Sequence, residues 1–476
     1  MFRFRLRKKE TPLDVFFKTV RNVPAYQKFI QKNNVNLSKI RNLDDFTTHV
    51  PVMEKDNYLR VYPFTELVKK GVVPPMVSAS SGSSGKPFYW PRGDEQEING
   101  GKLHEKIFRD IFKIKGQRTL VVVCFSMGNW IAGTFTAASC RYVARQKDMN
   151  LSIITPGIEK EDIIAVLRDF APQFETVVLA GYPPFLMDII TESKNRNISL
   201  DSFNIKFLFA GEGFSETWRE LIASASNIKN SLMDTSSVYG TADAGALGNE
   251  NPLTIFLRKK ATENISFRDE LFGDIGFVPS LVQFDPNVIY FELINGRLAF
   301  TVDSGIPLVR YDIKDKGTII TQNKVVSILK KFDLYDEAKD YLKAWPCPMV
   351  ALFGRSDVAV TFYALNIYPE NIKAAVEQSN LLSKLTSKFI ARVETNEDQT
   401  VQKLIINFET LENIIVNDDL IEETKSSVFE NLTRLNTEYR KLHNAIGDKA
   451  LPEIEFSSFG HELFKLRKNK QSWIKK

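Results

Sequence analysis

The chain has 476 residues, of which 43% are hydrophobic and 25% are charged, and its formal net charge is +5. This composition is typical of an ordinary globular protein that is long enough for two or more domains. Its three cysteines and four histidines are too few and too scattered for a disulfide framework or a zinc site. The modest positive charge is not accompanied by a basic motif interleaved with aromatic residues, so we expect no nucleic-acid partner.

Two segments bear on where the protein resides. The basic start of the chain, residues 1–9, lacks the long apolar core of a secretion signal, which favours a cytoplasmic protein. Residues 119–140 carry no charge and have about the length of a membrane span, but Ser126, Gly128 and Asn129 are among the residues that interrupt the apolar run. We interpret residues 121–125 as a short buried strand and predict no membrane span.

Strands and helices alternate through the middle of the chain. After an N-terminal helical region, the hydrophobic pattern predicts strands at residues 119–125, 151–154, 176–179 and 204–210, and helices at residues 163–170 and 216–225. We therefore expect an α/β fold whose large N-terminal domain has mostly parallel sheets flanked by helices, with ligands at the strand ends.

The pattern changes near Gly354. Beyond it we expect a helix at residues 369–378, a pair of strands at residues 389–394 and 404–408, and a helix at residues 422–442. This succession is typical of a small α+β domain behind a hinge. We place the core domain at residues 1–353 and the small C-terminal domain at residues 354–476.

The most informative motif is Ser-Ser-Gly-Ser-Ser-Gly-Lys-Pro at residues 80–87. Its glycines allow backbone N–H groups to turn toward oxygens, its serines donate hydrogen bonds, and its lysine adds a mobile positive charge. The motif is not of the Walker type, because a proline follows the lysine. Taken alone, it is typical either of a phosphate-binding loop or of a flexible turn. The candidate phosphate ligands are Ser80, Ser81, Gly82, Ser83, Ser84, Gly85 and Lys86.

Four later motifs favour the phosphate-binding interpretation. The loop resembles the Thr-Ser-Gly-Thr-Thr-Gly-Lys-Pro loop of the adenylate-forming superfamily, the enzymes that activate carboxylates with ATP. In the same order as in that superfamily, residues 209–216 resemble its adenine-contacting segment and residues 238–245 its Tyr-Gly-x-Thr-Glu motif. Residues 307–315 are similar to its Tyr-Arg-Thr-Gly-Asp segment, and residues 353–357 to its Gly-Arg-x-Asp hinge.

The resemblance can be narrowed to the branch of phenylacetate-coenzyme A ligases. Residues 20–26, 43–46 and 50–56 resemble the opening of those enzymes, and residues 366–372 resemble their Asn-Val-Phe-Pro-x-x-Ile segment. The resemblance covers nearly the whole chain. Residues 319–348 form the least similar part and look like an insertion between two motifs.

The resemblance implies a two-step reaction that uses ATP and Mg²⁺. The acid first forms an acyl-adenylate with release of pyrophosphate, and the acyl group then passes to the thiol of coenzyme A. The loop at residues 80–86 would cradle the β- and γ-phosphates. By the same resemblance, the adenine is bordered by Gly211, Glu212 and Gly213, and the residues near the base are Tyr239, Gly240 and Thr241. Asp243 is expected to hold Mg²⁺. Asp315 is expected to accept hydrogen bonds from the ribose hydroxyls, and Arg355 to reach the ribose or the phosphates.

The resemblance also assigns an acyl pocket, a hinge and a catalytic lysine. The pocket walls correspond to Phe125, Asn129, Trp130, Gly133 and Tyr182, whose aromatic rings favour a flat aryl acid. The small domain is expected to be mobile about Asp357. The lysine that stabilises the adenylation transition state is expected near the C-terminus, where Lys470 fits the pattern better than Lys465.

Departures from the family pattern leave the acceptor open. Asp243 replaces the usual glutamate, and Ala364 stands where coenzyme A ligases have a glycine beside the pantetheine tunnel. We therefore retain three hypotheses: acyl transfer to coenzyme A, acyl transfer to an amine or a carrier-protein thiol, and an inactive nucleotide-binding homologue. The identity of the acid, and whether the protein is a homodimer, also stay open.

Overall fold

The structure is a computed structural model that describes residues 11–79, 88–355, 360–363, 365–377, 379–395, 402–465 and 473–474. We call the described residues up to 355 the main unit and those from 360 onward the C-terminal unit. The motif residues Ser80 to Lys86, the expected hinge residue Asp357 and the candidate Lys470 lie outside the described residues.

The main unit is built around one large sheet. Its strands are β1 (Met76–Ala79), β2 (Tyr89–Arg92), β3 (Thr119–Cys124), β4 (Leu151–Ile154), β5 (Thr176–Gly181), β6 (Asn204–Ala210), β7 (Thr235–Thr241), β8 (Gly245–Asn249), β9 (Ser280–Gln283), β10 (Tyr290–Ile294), β11 (Arg297–Val302), β12 (Leu308–Ile320) and β13 (Met349–Arg355). Within the described residues, β1 and β2 form an antiparallel pair, and the others form an eleven-stranded sheet in the order β10-β11-β12-β13-β9-β8-β7-β6-β5-β3-β4.

This sheet is mixed rather than mostly parallel. Strands β4, β3, β5, β6 and β7 run parallel; the alternating pattern predicted the first four of them, whereas β7 was not predicted. The remaining neighbours pair antiparallel. One cause is local: Asn295 and Gly296 both have positive φ between β10 and β11, and this Asn-Gly turn closes an antiparallel hairpin.

Helices cover the sheet on both faces. The main unit contains α1 (Pro12–Asn22), α2 (Pro24–Lys32), α3 (Leu43–His49), α4 (Phe64–Leu67), α5 (Asp94–Lys106), α6 (Ile131–Ala144), α7 (Lys160–Ala165), α8 (Pro183–Asn195), α9 (Glu216–Ala225), α10 (Ser231–Asp234), α11 (Pro252–Glu263), α12 (Ile265–Phe272), α13 (Gln322–Lys331) and α14 (Tyr335–Ala344). The predicted insertion consists mainly of α13 and α14, which pack against α12 and α11. None of the described helices has the length and apolar character needed to cross a membrane.

The C-terminal unit has its own small sheets. Its elements are β14 (Val360–Phe362), β15 (Leu365–Ile367), α15 (Pro369–Glu377), β16 (Leu385–Thr395), β17 (Gln402–Thr410), α16 (Asp418–Leu435), α17 (Thr437–Ile446) and β18 (Glu453–Ser457). The single helix expected at residues 422–442 is two helices, because Asn436 leaves the helical conformation and caps α17 by accepting from the Tyr439 N–H at 3.0 Å. Strand β18, which adds in parallel to β17, was not predicted.

The two units pack together through apolar and charged contacts. Leu186 and Ile189 of α8 belong to the same buried cluster as Phe389 of β16. Beside them, the Lys388 ammonium donates to both oxygens of Asp188, at 2.8 and 2.7 Å. In the described arrangement, a swing of the C-terminal unit would have to break both the apolar packing and this ion pair.

A buried network of four charges holds the elements that follow β6. The fully buried guanidinium of Arg219 donates to Glu216 and to Glu250, each at 2.8 Å. Arg258 lies 2.6 Å from Glu216 and 2.7 Å from Glu250, and it also donates to the carbonyl oxygen of Phe214. The network thereby joins α9, α11 and the turn at residues 211–215.

We expect Arg219→Ala to destabilise the fold strongly, because it leaves two buried carboxylates short of a partner. The expected loss in the free energy of unfolding is about 3–5 kcal/mol, measured by urea denaturation. Lys259→Ala is the matched control, since Lys259 forms a more exposed pair with Glu220 at 2.6 Å on the same helix pair, and its removal should cost less than about 1 kcal/mol. Equal losses in the two variants would contradict the structural role of the network.

Candidate active site

The turn after β6 presents Glu212 between the two units. Two glycines shape this turn. Gly211 has φ +98°, a conformation that favours glycine. At Gly213 a side chain would collide with Ser280, because an added side-chain carbon would lie 2.4 Å from Ser280 Oγ. The Glu212 carboxylate accepts hydrogen bonds from the Tyr182 hydroxyl, from the Lys373 ammonium and, at 3.1 Å, from Trp473 Nε1. The predicted adenine-bordering residue is therefore also a contact of the C-terminal unit.

Tyr239 and Asp315, which the motifs predicted to lie at the nucleoside, contact each other. The Tyr239 hydroxyl at the end of β7 donates to Asp315 Oδ2 of β12 at 2.5 Å. Thr241 accepts from the Ala244 N–H at 3.0 Å and so shapes the turn between β7 and β8. Because Ala210 pairs with Val238 in the parallel β6 and β7, Glu212 and Tyr239 follow at the same edge of the sheet.

Asp243 does not fit the role of a direct Mg²⁺ ligand in this arrangement. It is 4% exposed, its Oδ2 accepts from the Tyr311 hydroxyl at 2.5 Å, and Lys55 Nζ lies 3.4 Å away. Burial lowers the pKa of the neighbouring Arg92 to about 9, and Asp243 opposes that shift. Lys55 and Arg92 already place positive charge where a cation would bind, and the described residues contain no cluster of metal-ligating side chains.

Helix α15, the first helix of the C-terminal unit, places two carboxyl groups, Glu370 and Glu377, and one ammonium group, Lys373, near Glu212. Burial raises the pKa of Glu370 to about 7, and Glu212 and Asp315 add to that shift while Lys373 opposes it. Glu370 Oε2 is buried without a hydrogen-bond partner in the described part of the chain. Burial lowers the pKa of Lys373, but Glu212 and Glu377 raise it above its usual value overall. Lys373 is thus the shared cation of an acidic cluster.

The residues expected to form the acyl pocket separate into two groups. Trp130 lines a cleft of about 370 Å³ together with Ser126, Met127, Thr155, Ile158 and Glu159, a volume within the range of about 300–1,000 Å³ that small-molecule sites occupy. Phe125 is instead buried in the hydrophobic core, and Tyr182 is buried where it donates to Glu212. Asn129 is exposed, and Gly133 lets α6 approach the carbonyl oxygen of Ser126.

The other predicted residues are placed only in part. Arg355 ends β13, where its backbone is paired with Asp315. Gly240 lies in β7 with no close side-chain neighbour that demands glycine. Lys465 is exposed and forms an ion pair with Glu462. Three residues of this cluster were not predicted as site residues: Lys373, Glu370 and Trp473. For Trp473, the available signal was an aromatic residue within a basic tail.

The fold can now be compared with known proteins. A solved structure of 2-hydroxyisobutyryl-CoA ligase in the postadenylation state, in complex with R3-HIB-AMP, matches 98% of this chain and 88% of its own with 14% identity and a TM-score of 0.68. A GH3-type acyl acid amido synthetase in complex with 2,4-DB matches 100% of this chain and 95% of its own with 12% identity and a TM-score of 0.59. The chain has the fold of adenylate-forming enzymes.

Further comparisons set the limits of this similarity. An anthranilate CoA ligase in complex with anthranoyl-AMP matches 83% of this chain and 65% of its own, with 12% identity and a TM-score of 0.52. No family model and no curated protein matches the sequence. The fold predicted from the motif order is confirmed. The catalytic roles of the individual residues stay predictions.

We expect the contribution of Glu370 to the free energy of unfolding to fall as the pH rises from about 4.5 to about 7. Its pKa rises from 4.5 to about 7 on folding, so the folded state keeps a proton that the unfolded state releases as the pH rises. The stabilisation is fully present below about pH 4.5 and is lost as the pH approaches about 7. Glu370→Gln, which stays neutral, should be more stable than the wild type by roughly 2–3 kcal/mol at about pH 7.5 and similar to it at about pH 4.5.

Urea unfolding at the two pH values measures this difference. Glu430→Gln, at an exposed position of α16, is the matched control and should follow the wild type at both. A Glu370→Gln variant that gains no stability over the wild type at the higher pH would show that folding does not raise the pKa of this carboxyl.

Proposed function

We propose that this protein activates a carboxylic acid with ATP as an acyl-adenylate, releases pyrophosphate and transfers the acyl group to the thiol of coenzyme A. A carboxylate oxygen attacks the α-phosphorus and the bond to pyrophosphate breaks. The thiol sulfur then attacks the acyl carbon, the thiol proton is released, and AMP leaves. We further propose that the acid is an aryl acid and that the protein is a ligase of the phenylacetate-coenzyme A type.

One observation carries the proposal. At one edge of the core sheet, Tyr239 contacts Asp315, and Glu212, in the turn after the neighbouring strand β6, is contacted by Lys373 and Trp473 of the C-terminal unit. Ligand sites of open α/β sheets lie beyond the carboxyl ends of the parallel strands, where β6 and β7 end. Solved proteins of the same fold hold acyl-adenylates, which supports the same intermediate here.

We assign the binding and catalytic roles to individual residues of the chain. Asp315, oriented by the Tyr239 hydroxyl, would accept the ribose hydroxyls, and Glu212 would border the adenine. Lys86 and the serines of its loop would hold the phosphates, and Lys470 would stabilise the charge that develops on the carboxylate and α-phosphate. Magnesium ordinarily neutralises phosphate charge in such reactions, but the Asp243 carboxylate is engaged by Lys55 and Tyr311 and does not fit as its direct ligand.

The cleft at Trp130 supports an aryl acid. A half-buried indole in a pocket of this size provides an apolar face against which a flat ring can pack. The proposed acid is therefore aromatic rather than a long alkyl chain.

An amine acceptor is the second candidate. The similarity to an acyl acid amido synthetase extends over the whole of this chain, and Ala364 stands where coenzyme A ligases have glycine. In that case the first half-reaction is unchanged and an amine nitrogen replaces the thiol.

The proposal predicts pyrophosphate release that depends on both ATP and an acid. Across a panel of aryl and long-chain fatty acids, aryl acids should react faster, and addition of coenzyme A rather than amines should complete the turnover. Faster release with fatty acids would contradict the aryl assignment. Completion only with amines would favour the second candidate, and no release with any acid would leave the inactive homologue.

We expect Lys470→Ala to lower adenylate formation by at least ~100-fold, the scale expected when one charge contact to a transition state is lost. The same variant should consume supplied acyl-adenylate at near the wild-type rate, measured by thioester formation. Lys465→Ala is the control, because Lys465 is exposed and paired with Glu462. If only Lys465→Ala impaired adenylation, the role would belong to Lys465.

A further inference from the structure

The Glu212 carboxylate receives donors from both units. Tyr182, the residue before α8, supplies a hydroxyl from the main unit, whereas Lys373 and Trp473 come from the C-terminal unit. Glu212 and Lys373 are 15% and 13% exposed. Hydrogen bonds to a charged, shielded carboxylate are stronger than neutral ones. This contact is therefore a main determinant of how the two units dock.

Trp473 is held both by β16 and by Glu212. Its carbonyl oxygen accepts from the Ala391 N–H at 2.8 Å, and its ring lies 4.7 Å from that of Phe389. These contacts attach Trp473 to β16 and leave its indole N–H directed at Glu212. The Lys373 ammonium, 5.2 Å from the indole ring, completes the contact.

Helix α15 holds the Glu212 turn on its other side. Lys373 donates to the Gly213 carbonyl oxygen at 2.8 Å, and Glu377, one helical turn later, accepts from the Ser215 N–H at 2.8 Å. The turn at residues 211–215 is thus bound at its start and at its end by the same helix. This arrangement aligns the C-terminal unit with the edge of the core sheet.

We propose that Glu212 is the docking point that positions the C-terminal segment for acid activation, with Lys373 and Trp473 as positioning residues. This inference rests on the proposed function. Lys470 stands three positions before Trp473 in the sequence, so we expect docking of Trp473 at Glu212 to matter for the step assigned to Lys470. The docking therefore favours the first half-reaction and is dispensable for the second.

Conservative variants separate positioning from folding. Lys373→Met keeps the length of the side chain without its charge, and Trp473→Phe keeps the ring on Phe389 without the N–H. Lys403→Met is the matched control, since Lys403 pairs with Glu453 at 2.7 Å at an exposed place within the C-terminal unit. Lys373→Met and Trp473→Phe should lower acid-dependent pyrophosphate–ATP exchange by about 10-fold or more.

The same variants should leave the second half-reaction nearly unchanged. Consumption of supplied acyl-adenylate by coenzyme A should stay within about 2-fold of the wild type, because this step does not need the docked segment. The control should change neither rate. Equal losses in both half-reactions would indicate a merely structural role and overturn the proposal.

A remote variant tests the same arrangement without touching the edge of the sheet. Asp188→Asn removes one charge of the interface pair but leaves Lys388 beside Glu409, 3.2 Å away, so no buried ammonium is stranded. It should weaken docking and shift the ratio of the two half-reactions in the same direction. An unchanged ratio in this variant and in Lys373→Met would contradict the link between docking and acid activation.

Hydrogen–deuterium exchange measures docking independently of activity. The Ser215 amide donates across the interface, so the peptide covering residues 211–215 should exchange faster in Lys373→Met than in the wild type or in Lys403→Met. Unchanged exchange would show that Glu212 does not dock the C-terminal unit. If the wild type forms no adenylate, the proposed function and the positioning role both fail, while the exchange result still decides the docking.

Discussion

A single carboxylate at the end of β6 constrains how the two units meet. A charge at this depth is stable only when donors surround it, and the donors of Glu212 come from residues 30, 161 and 261 positions away along the chain. Tyr182 connects it to α8, which carries Asp188 of the interface pair Asp188–Lys388, and Lys373 connects it to α15. The site edge, the interface and the chain terminus therefore depend on one another.

Much of the main unit could be predicted from the sequence because its signals are local. The apolar runs that became β3, β5 and β6 lie between helical patterns, and such alternation is sufficient for a parallel arrangement. Gly211, whose positive φ favours glycine, lies within the motif at residues 209–216, from which Glu212 was predicted as a site residue. The motif order assigned both Tyr239 and Asp315 to the nucleoside, and the two side chains are in contact; their roles in binding it stay predictions.

The remainder depends on contacts between residues far apart in sequence. The antiparallel half of the sheet and the added strand β18 leave weak local patterns, and the helix break at Asn436 occurs inside a continuous amphipathic run. The surroundings of Asp243 could not be foreseen, since Lys55 comes from the N-terminal helical region. Burial and proximity, rather than residue type, give Glu370 and Lys373 their shifted pKa values.

The central claim, that the carboxylate is activated as an acyl-adenylate, is tested most directly by isotope transfer. When the acid carries ¹⁸O in its carboxylate, attack on the α-phosphorus and later cleavage of the acyl–oxygen bond leave one labelled oxygen on AMP. Mass spectrometry of the nucleotide after a single turnover should therefore find the label in AMP and none in pyrophosphate. Label in inorganic phosphate, with ADP as the nucleotide product, would contradict this account.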